Sequence, residues 1–217
     1  MKLKKSVVFF DFDNTITEFD VIDDMLERFS ADDKWRALEE EWKKGSIGSR
    51  QCLDGQIRGI NITGKVLDEY LKTIKIDPSF KEILKLCESR GIKKVILSDN
   101  FKYIISKILE NNGIGALDIY CNSIEMDNGK LTPTFPHTGK DCGKCAHCKT
   151  SNLMANTGED YSAIYIGDGL SDLCPSRKAD LVFAKSTLKE RLSAEKIPHV
   201  PFDNLSDVYN HLKRDNK

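Results

Sequence analysis

Three short apolar runs along the chain each end in oxygen-bearing polar residues. Ser6-Val7-Val8-Phe9-Phe10 stops at Asp11, Lys93-Lys94-Val95-Ile96-Leu97 stops at Ser98-Asp99-Asn100, and Ser162-Ala163-Ile164-Tyr165-Ile166 stops at Gly167-Asp168-Gly169. None alternates with polar residues, so each predicts a strand covered on both faces, as in a parallel sheet. Between the runs the apolar period becomes helical. Phe80, Ile83, Leu84 and Cys87 fall on one helix face closed by Gly91, and Ile104, Ile105, Ile108 and Leu109 form a second stripe before Asn111-Asn112-Gly113. A helical stretch over Ser151 to Asn156 feeds the third strand, and another near Leu170 to Lys178 precedes a fourth run, Leu181-Val182-Phe183-Ala184. This alternation predicts a layered α/β domain with a parallel sheet.

Two segments depart from the pattern. Residues 18–77 hold Phe29, Trp35, Leu38, Trp42 and many charges but no strand pattern, and predict a helical cap inserted after the first strand. The domain expectation is therefore a core of residues 1–17 and 78–217 with a cap of 18–77. Ile119 to Thr134 predicts a small β-hairpin turning at Asp127-Asn128-Gly129.

A chain of 217 residues has room for one core plus such an insertion. Lys and Arg total 33 against 34 Asp and Glu, so no overall field favours nucleic acid or an anionic membrane, and a small molecule is the expected partner. Apolar runs fall short of the ~18 residues of a membrane span, and the run after Lys5 is too short for a signal peptide; the expected location is the cytoplasm. The composition leaves the oligomeric state open.

The strand ends supply what cleavage of a phosphate monoester requires: an aligned nucleophile, charge neutralisation and a proton for the leaving alkoxide. Asp11 can serve as nucleophile, forming an aspartyl phosphate. Asp13, two residues on, can protonate the leaving group and then activate water. Carboxylates this close repel unless a magnesium ion joins them, and Asp168 and Asp172 supply further carboxylates; Asp172 either binds through a water or orients the site. Ser98 and Asp99 with Lys149 form the expected phosphate-binding set, Lys149 offsetting carboxylate and phosphate charge alike.

Read in order, Asp11-Phe12-Asp13-Asn14-Thr15, Ser98-Asp99-Asn100, Lys149 and Gly167-Asp168-Gly169-Leu170-Ser171-Asp172 resemble the four motifs of the haloacid dehalogenase superfamily of phosphatases. The resemblance covers residue 7 to about 185. It implies a Rossmann-like core, magnesium held by Asp11, the carbonyl of Asp13 and Asp168, and the phosphoryl-enzyme route. The helical cap after the first motif is similar to the phosphoserine phosphatase subgroup. Phe10 to Ile16, Ser98-Asp99 and Asp168 through Asp172-Leu173-Cys174-Pro175 resemble the phosphoethanolamine/phosphocholine phosphatases. The His137 to Lys149 segment is similar to the methionine-salvage phosphatase that acts on a methylthiopentenyl phosphate. The implied substrate is thus a phosphocholine- or phosphoethanolamine-like ester, pyridoxal phosphate or a methionine-salvage phosphate, with Asp99 able to pair with a cationic amine. A phosphotransferase or mutase of the same superfamily would keep the same motifs.

Cys142, Cys145 and Cys148, with His137 nearby, have zinc-compatible spacing, so the loop is a structural zinc site, a set of reduced thiols or a redox-sensitive segment; a zinc-dependent binding or sensor module is the corresponding rival function. Of the seven cysteines the other four are scattered and predict reduced thiols. Within the cap, Trp35, Leu38 and Trp42 predict core packing, with a choline-binding aromatic cage as the alternative; Glu39-Glu40-Glu41 are expected at the solvated surface, as are Asp20 and Asp24, for which facing the active site is the alternative.

Overall fold

The computed structural model describes residues 5–139, 143–158 and 160–214. Strand β1 (Lys5–Phe10) lies at the centre of a seven-stranded sheet, between β2 (Lys93–Phe101) and β5 (Tyr161–Gly167), and runs parallel to both. Outward from β5 come β6 (Leu181–Ala184) and β7 (Val200–Pro201); outward from β2 come β3 (Asp118–Asp127) and the antiparallel edge strand β4 (Lys130–Thr134), giving the order β4-β3-β2-β1-β5-β6-β7.

The absence of alternation in β1 has the expected cause. Val8 and Phe10 enter one core with Phe80 and Ile83 of α5 (Ser79–Ser89), Ile104 and Ile105 of α6 (Lys102–Asn111), and Val208 and Leu212 of α10 (Leu205–Arg214). Val7 and Phe9 enter a second core with Leu153 of α7 (Lys149–Asn156) and Tyr165. With both faces covered, the strand's only polar exit is its carboxyl end. The hairpin turns where expected, with Asn128 at φ 48° and Gly129 at φ 82°, the left-handed pair a two-residue turn of this kind requires.

Between β1 and α5 the chain forms four helices: α1 (Val21–Phe29), α2 (Lys34–Lys43), α3 (Ser49–Arg58) and α4 (Gly64–Thr73). The described residues of this stretch form isolated bridges but no strand. One of them seats Asn61 against Lys130 at the hairpin tip, and Ile62 N donates to Gly129 O at 2.8 Å. Asp20 and Thr63 cap α1 and α4 with their side chains.

Three elements depart from the pattern-based expectation. Strand β2 continues past Leu97 to Phe101, because β3 keeps pairing with it across a register shift between Leu97 and Phe101. Helix α7 begins at Lys149 itself, so that lysine is the first helical residue rather than the one before it. Around Pro175 the expected helix resolves into a 3-10 turn, Leu170–Asp172, and a single turn α8 (Leu173–Ser176). Beyond Ala184 lie α9 (Ser186–Ala194), β7 and α10, where the sequence pattern suggested no elements. Among the described residues no helix is long and apolar enough to cross a membrane.

Candidate active site

The polar ends of β1, β2 and β5 meet at one edge of the sheet. Asp11 N donates to Ile166 O at 2.9 Å, carrying the β1–β5 ladder one residue past the strand and holding the two ends together. The chain then turns sharply: Asn14 takes φ 51°, a left-handed conformation that Asn tolerates better than most side chains. The turn aims Asn14 Nδ2 at Asp168 Oδ2 (2.7 Å) and Thr15 Oγ1 at Asp168 Oδ1 (3.0 Å).

Lys149, buried at the start of α7, donates to Asp11 Oδ1 and to Asp172 Oδ1, both at 2.7 Å. Asp172 is fully engaged: its Oδ1 also accepts from the Tyr165 hydroxyl (2.6 Å), and its Oδ2 accepts from Asp168 N (3.0 Å) and Gly169 N (2.9 Å). This packing explains the glycine that ends β5. A Cβ on Gly167 would lie 2.6 Å from Asp172 Oδ2 and 3.0 Å from Tyr165 Cε1. Gly167→Ala is therefore expected to displace Asp172, and Lys149 with it, lowering kcat roughly 10²-fold as a shift of about 1 Å at a reacting group does; a kcat equal to the parent's would contradict this packing.

Ser98 is buried, and its Oγ accepts from Asn100 N at 3.0 Å. Asp13 accepts from Val21 N at 3.1 Å and from Asn100 Nδ2. Asp99 faces the same space, with the backbone amide of His147 donating to its carboxylate and its Oδ1 otherwise buried without a partner. These groups floor a cavity of about 170 Å³ whose opposite wall comes from α1, α2 and α3, through Ile22, Asp23, Glu39, Trp42, Leu53 and Gln56.

Comparison with known proteins then places the chain. A family model described as Putative Phosphatase matches residues 6–196. The chain belongs to this family. The 2-hydroxy-3-keto-5-methylthiopentenyl-1-phosphate phosphatase of Brevibacillus brevis is 29% identical over 97% of this chain and 96% of its own. The protein of the same description from Geobacillus thermodenitrificans is 28% identical over 97% of each. A solved structure of substrate-bound phosphoserine phosphatase shares the fold, with a TM-score of 0.70 at 19% identity over 96% of this chain and 98% of that one. The protein is thus a phosphomonoesterase of the haloacid dehalogenase type with a Rossmann-like α/β fold.

The electrostatics of this phosphatase are those of a buried, negatively overcharged site. Burial pushes the Asp11 carboxyl well above the usual carboxylate range, Asp172 adds repulsion, and Lys149 pulls the other way. Asp168 is raised by burial and by Asp172, against the hydrogen bonds from Asn14 and Thr15. Burial lifts Asp13 to about 7 despite the bonds from Asn100 and Val21, and lifts Asp99 to about 6. Asp172 goes the other way. Burial opposes its charge, but Lys149, the Tyr165 hydroxyl and the Gly169 amide outweigh burial and hold it below the usual range. The Lys149 ammonium is likewise opposed by burial and held above the usual lysine range by Asp11 and Asp172.

Among the described residues, one group of acidic, histidine or cysteine side chains converges tightly enough for a metal ion: Asp11, Asp168 and Asp172, with oxygens within 4.8 Å of one another. The zinc expectation finds no comparable support. Cys142 lies outside the described residues, the His137 ring stacks edge-on with Tyr120 and His147, and Cys148 Sγ lies 3.0 Å from Ser151 Oγ.

Several surface expectations are corrected by the cavity. Glu39 is drawn in by Gln56 Nε2 (3.0 Å) and Lys43 (3.0 Å), leaving only Glu40 and Glu41 of the acidic run exposed. Trp35 packs in the core as the stripe predicts, but Trp42 lines the cavity. Asp24 pairs with Arg28 (2.6 Å) and Tyr70 (2.7 Å) away from the cavity, whereas Asp20 lies on its wall. Burial, then repulsion from Asp13, pushes the Asp20 carboxyl up to about 7. The folded chain then binds a proton that an unfolded carboxyl, with a pKa of about 3.9, has already released, so this group's contribution to stability falls as pH rises from about 3.9 to about 7 and is lost above that. In chelated protein, Asp20→Asn is expected to raise Tm relative to the parent most near pH ~8, less near pH ~5, and not at all below the unfolded pKa of about 3.9. Equal shifts in thermal melts near pH ~8 and near pH ~5 would refute this.

The pattern of the sequence assigned no separate role to Asn14, Thr15, Asn100 or Tyr165. Tyr165 carried the one usable signal, a hydroxyl inside an otherwise apolar strand, which a buried strand accepts only with a partner.

Proposed function

We propose that the protein hydrolyses a small phosphate monoester by way of a phosphoryl group carried on Asp11. The supporting observation is the hold of Lys149 on Asp11: one carboxylate oxygen is bound at 2.7 Å by a buried ammonium, which orients the carboxylate at the floor of the cavity. In the first step Asp11 attacks phosphorus, the bond from phosphorus to the ester oxygen breaks, and Asp13 gives its proton to the departing alkoxide. In the second, Asp13 takes a proton from water, the resulting hydroxide attacks the phosphoaspartate, and inorganic phosphate leaves with Asp11 restored. Ser98 and Lys149 bind the phosphoryl oxygens, and Asp172 acts on Lys149 rather than on substrate.

The donor set suits magnesium. Asp11, Asp13, Asp168 and Asp172 offer only hard oxygen ligands, and against four carboxyls the cluster holds the single ammonium of Lys149. The carboxylates of Asp11 and Asp168 with the backbone carbonyl of Asp13 would hold the ion, since each oxygen of Asp172 already takes two donors whereas each oxygen of Asp168 takes one. When bound, the ion neutralises carboxylate and phosphoryl charge. Removing metal with a chelator is expected to abolish hydrolysis of p-nitrophenyl phosphate and added Mg2+ to restore it; turnover undiminished by chelation would overturn the metal assignment.

Residues 18–77 form, in this reading, a cap over a core of 1–17 and 78–217, excluding bulk water and choosing the leaving group. The wall facing that group carries Asp20, Asp23, Glu39 and Trp42, with Asp99 across from it. An acidic wall with one indole suits a leaving alcohol bearing an ammonium, so Asp99 is assigned to the amine rather than to phosphate. The relatives named for a methylthiopentenyl phosphate make that ester, whose leaving group carries no positive charge, the direct competitor. Phosphocholine or phosphoethanolamine is expected to exceed it and pyridoxal phosphate in kcat/KM by roughly tenfold or more, the scale of one added charge pairing. A preference for the methylthiopentenyl ester would overturn the amine reading and leave the phosphatase chemistry intact.

A further inference from the structure

Asp13 must present its carboxyl to two different oxygens in turn, the leaving alkoxide and the attacking water, and it sits on a loop rather than on a strand. Loop carboxylates need an external hold to stay aligned. Asn100 provides a hold from the neighbouring strand end: its Nδ2 lies 2.9 Å from Asp13 Oδ1 and 3.0 Å from Asp13 Oδ2. The orientation of this amide is not arbitrary. Asn100 Oδ1 accepts from Phe101 N at 2.6 Å, and since a backbone N–H can only donate, the carbonyl end must face Phe101 and the NH2 end must face Asp13.

The same residue is tied to the phosphate side of the site. Asn100 N donates to Ser98 Oγ at 3.0 Å, and the side chain is buried, with an exposure of 1%. Asn100 stands inside the irregular end of β2, where the register with β3 shifts between Leu97 and Phe101. Ser98 and Asn100, two residues apart on extended chain, point to the same side and both line the site. On the opposite flank Val21 N, at the start of α1, donates to Asp13 Oδ1 at 3.1 Å, so the carboxyl is clamped from two elements and cannot rotate without losing donors on one side.

We propose that Asn100 is a positioning residue for both proton transfers: it fixes the Asp13 carboxyl against the reacting oxygens and couples that placement to the Ser98 phosphate cradle. This rests on the assignment of Asp13 as acid and base made above. The readout that separates positioning from general structural support is leaving-group dependence. Nitrophenolate departs without a proton, whereas an aliphatic alkoxide requires one, and water attack on the phosphoaspartate requires the base in either case.

The experiment is rapid-quench kinetics of the magnesium-loaded protein with p-nitrophenyl phosphate and with phosphoethanolamine. Two variants are compared with the parent, Asn100→Ala and the nearly isosteric Asn100→Asp, which keeps an acceptor for Phe101 N while removing the donor to Asp13. For both variants the first-turnover rate on phosphoethanolamine is expected to fall roughly 100-fold, the scale of lost general acid catalysis, and the ratio of aryl to alkyl first-turnover rates to widen at least about tenfold. Breakdown of the phosphoenzyme slows as well, so p-nitrophenyl phosphate gives a burst of nitrophenol followed by a slow steady state. Equal losses on both substrates, or a loss confined to KM, would overturn the positioning role. Asn100→Asp supplies the answer if Asn100→Ala does not fold. If Asp11→Asn turns over like the parent, the Asp11 reading fails first, which is distinguishable from a parent that depends on Asp11 and an Asn100 variant whose leaving-group dependence is unaltered.

Discussion

Lys149→Met is expected to lower kcat roughly 10³-fold, the loss seen when a preorganised charge donor to the reacting centre is removed. The same change withdraws the one ammonium from Asp11 and Asp172, each bonded to it at 2.7 Å, and leaves two buried carboxyls without their cation. Breaking a buried pair in this way costs about 3–5 kcal/mol, so the chelated variant is expected to melt well below the parent. Magnesium is expected to recover part of that loss, because the ion offsets some of the uncompensated charge. Lys149→Arg is no rescue: the guanidinium fork is larger and cannot occupy a buried point bonded on two sides. Thermal melts with and without magnesium, alongside steady-state kinetics, check both halves. A variant that melts like the parent would mean that the contacts of Lys149 carry little of the site's stability.

Asp11→Asn is expected to do the reverse to stability while abolishing the reaction. The amide oxygen can still accept from Lys149, but one negative charge leaves a cluster in which four carboxyls face one ammonium. The chelated variant is therefore expected to melt no lower than the parent, and to gain less from magnesium because an ion ligand has been weakened. Turnover is expected to fall by at least about 10⁴-fold, as when a nucleophile is removed from a catalytic unit. A stable Asp11→Asn protein with residual turnover near the parent's would remove Asp11 from the mechanism.

The core of the fold was legible because β1, β2 and β5 each hold an apolar run that ends in oxygen-bearing polar residues. Ser6 to Phe10 could only be a doubly covered strand, and the structure covers Val8 and Phe10 on one side and Val7 and Phe9 on the other. Asp11, Ser98 and Asp168 were legible for the same reason, since strand ends in a parallel sheet converge. Asn100 was not, and Tyr165 showed only that its hydroxyl needed a partner, not which one. Their roles depend on contacts made 87 residues away, to Asp13, and 7 residues away across a turn, to Asp172, and on a bulge at the end of β2 that no local period announces. Glu39 and Trp42 were misplaced for a different reason. Glu39 read as solvated because its neighbours are charged, and Trp42 read as core because it shares a helix face with Trp35 and Leu38; only the packing of α2 against α3 and over the strand ends turns that edge into a cavity wall. The segment after Ala184 went unread because β7 is two residues long and α9 carries only two buried leucines, Leu188 and Leu192.

The central claim is that phosphorus becomes covalently bound to Asp11. Magnesium-loaded protein mixed with p-nitrophenyl phosphate, quenched in acid within the first turnover and reduced with borohydride, converts any acyl phosphate on an aspartate to homoserine, which peptide mass spectrometry locates. Homoserine is expected at position 11, in the peptide spanning Phe10 to Thr15, and none in Asp11→Asn. Release of phosphate with no modified aspartate, or modification at Asp13 or Asp168 instead, would contradict it.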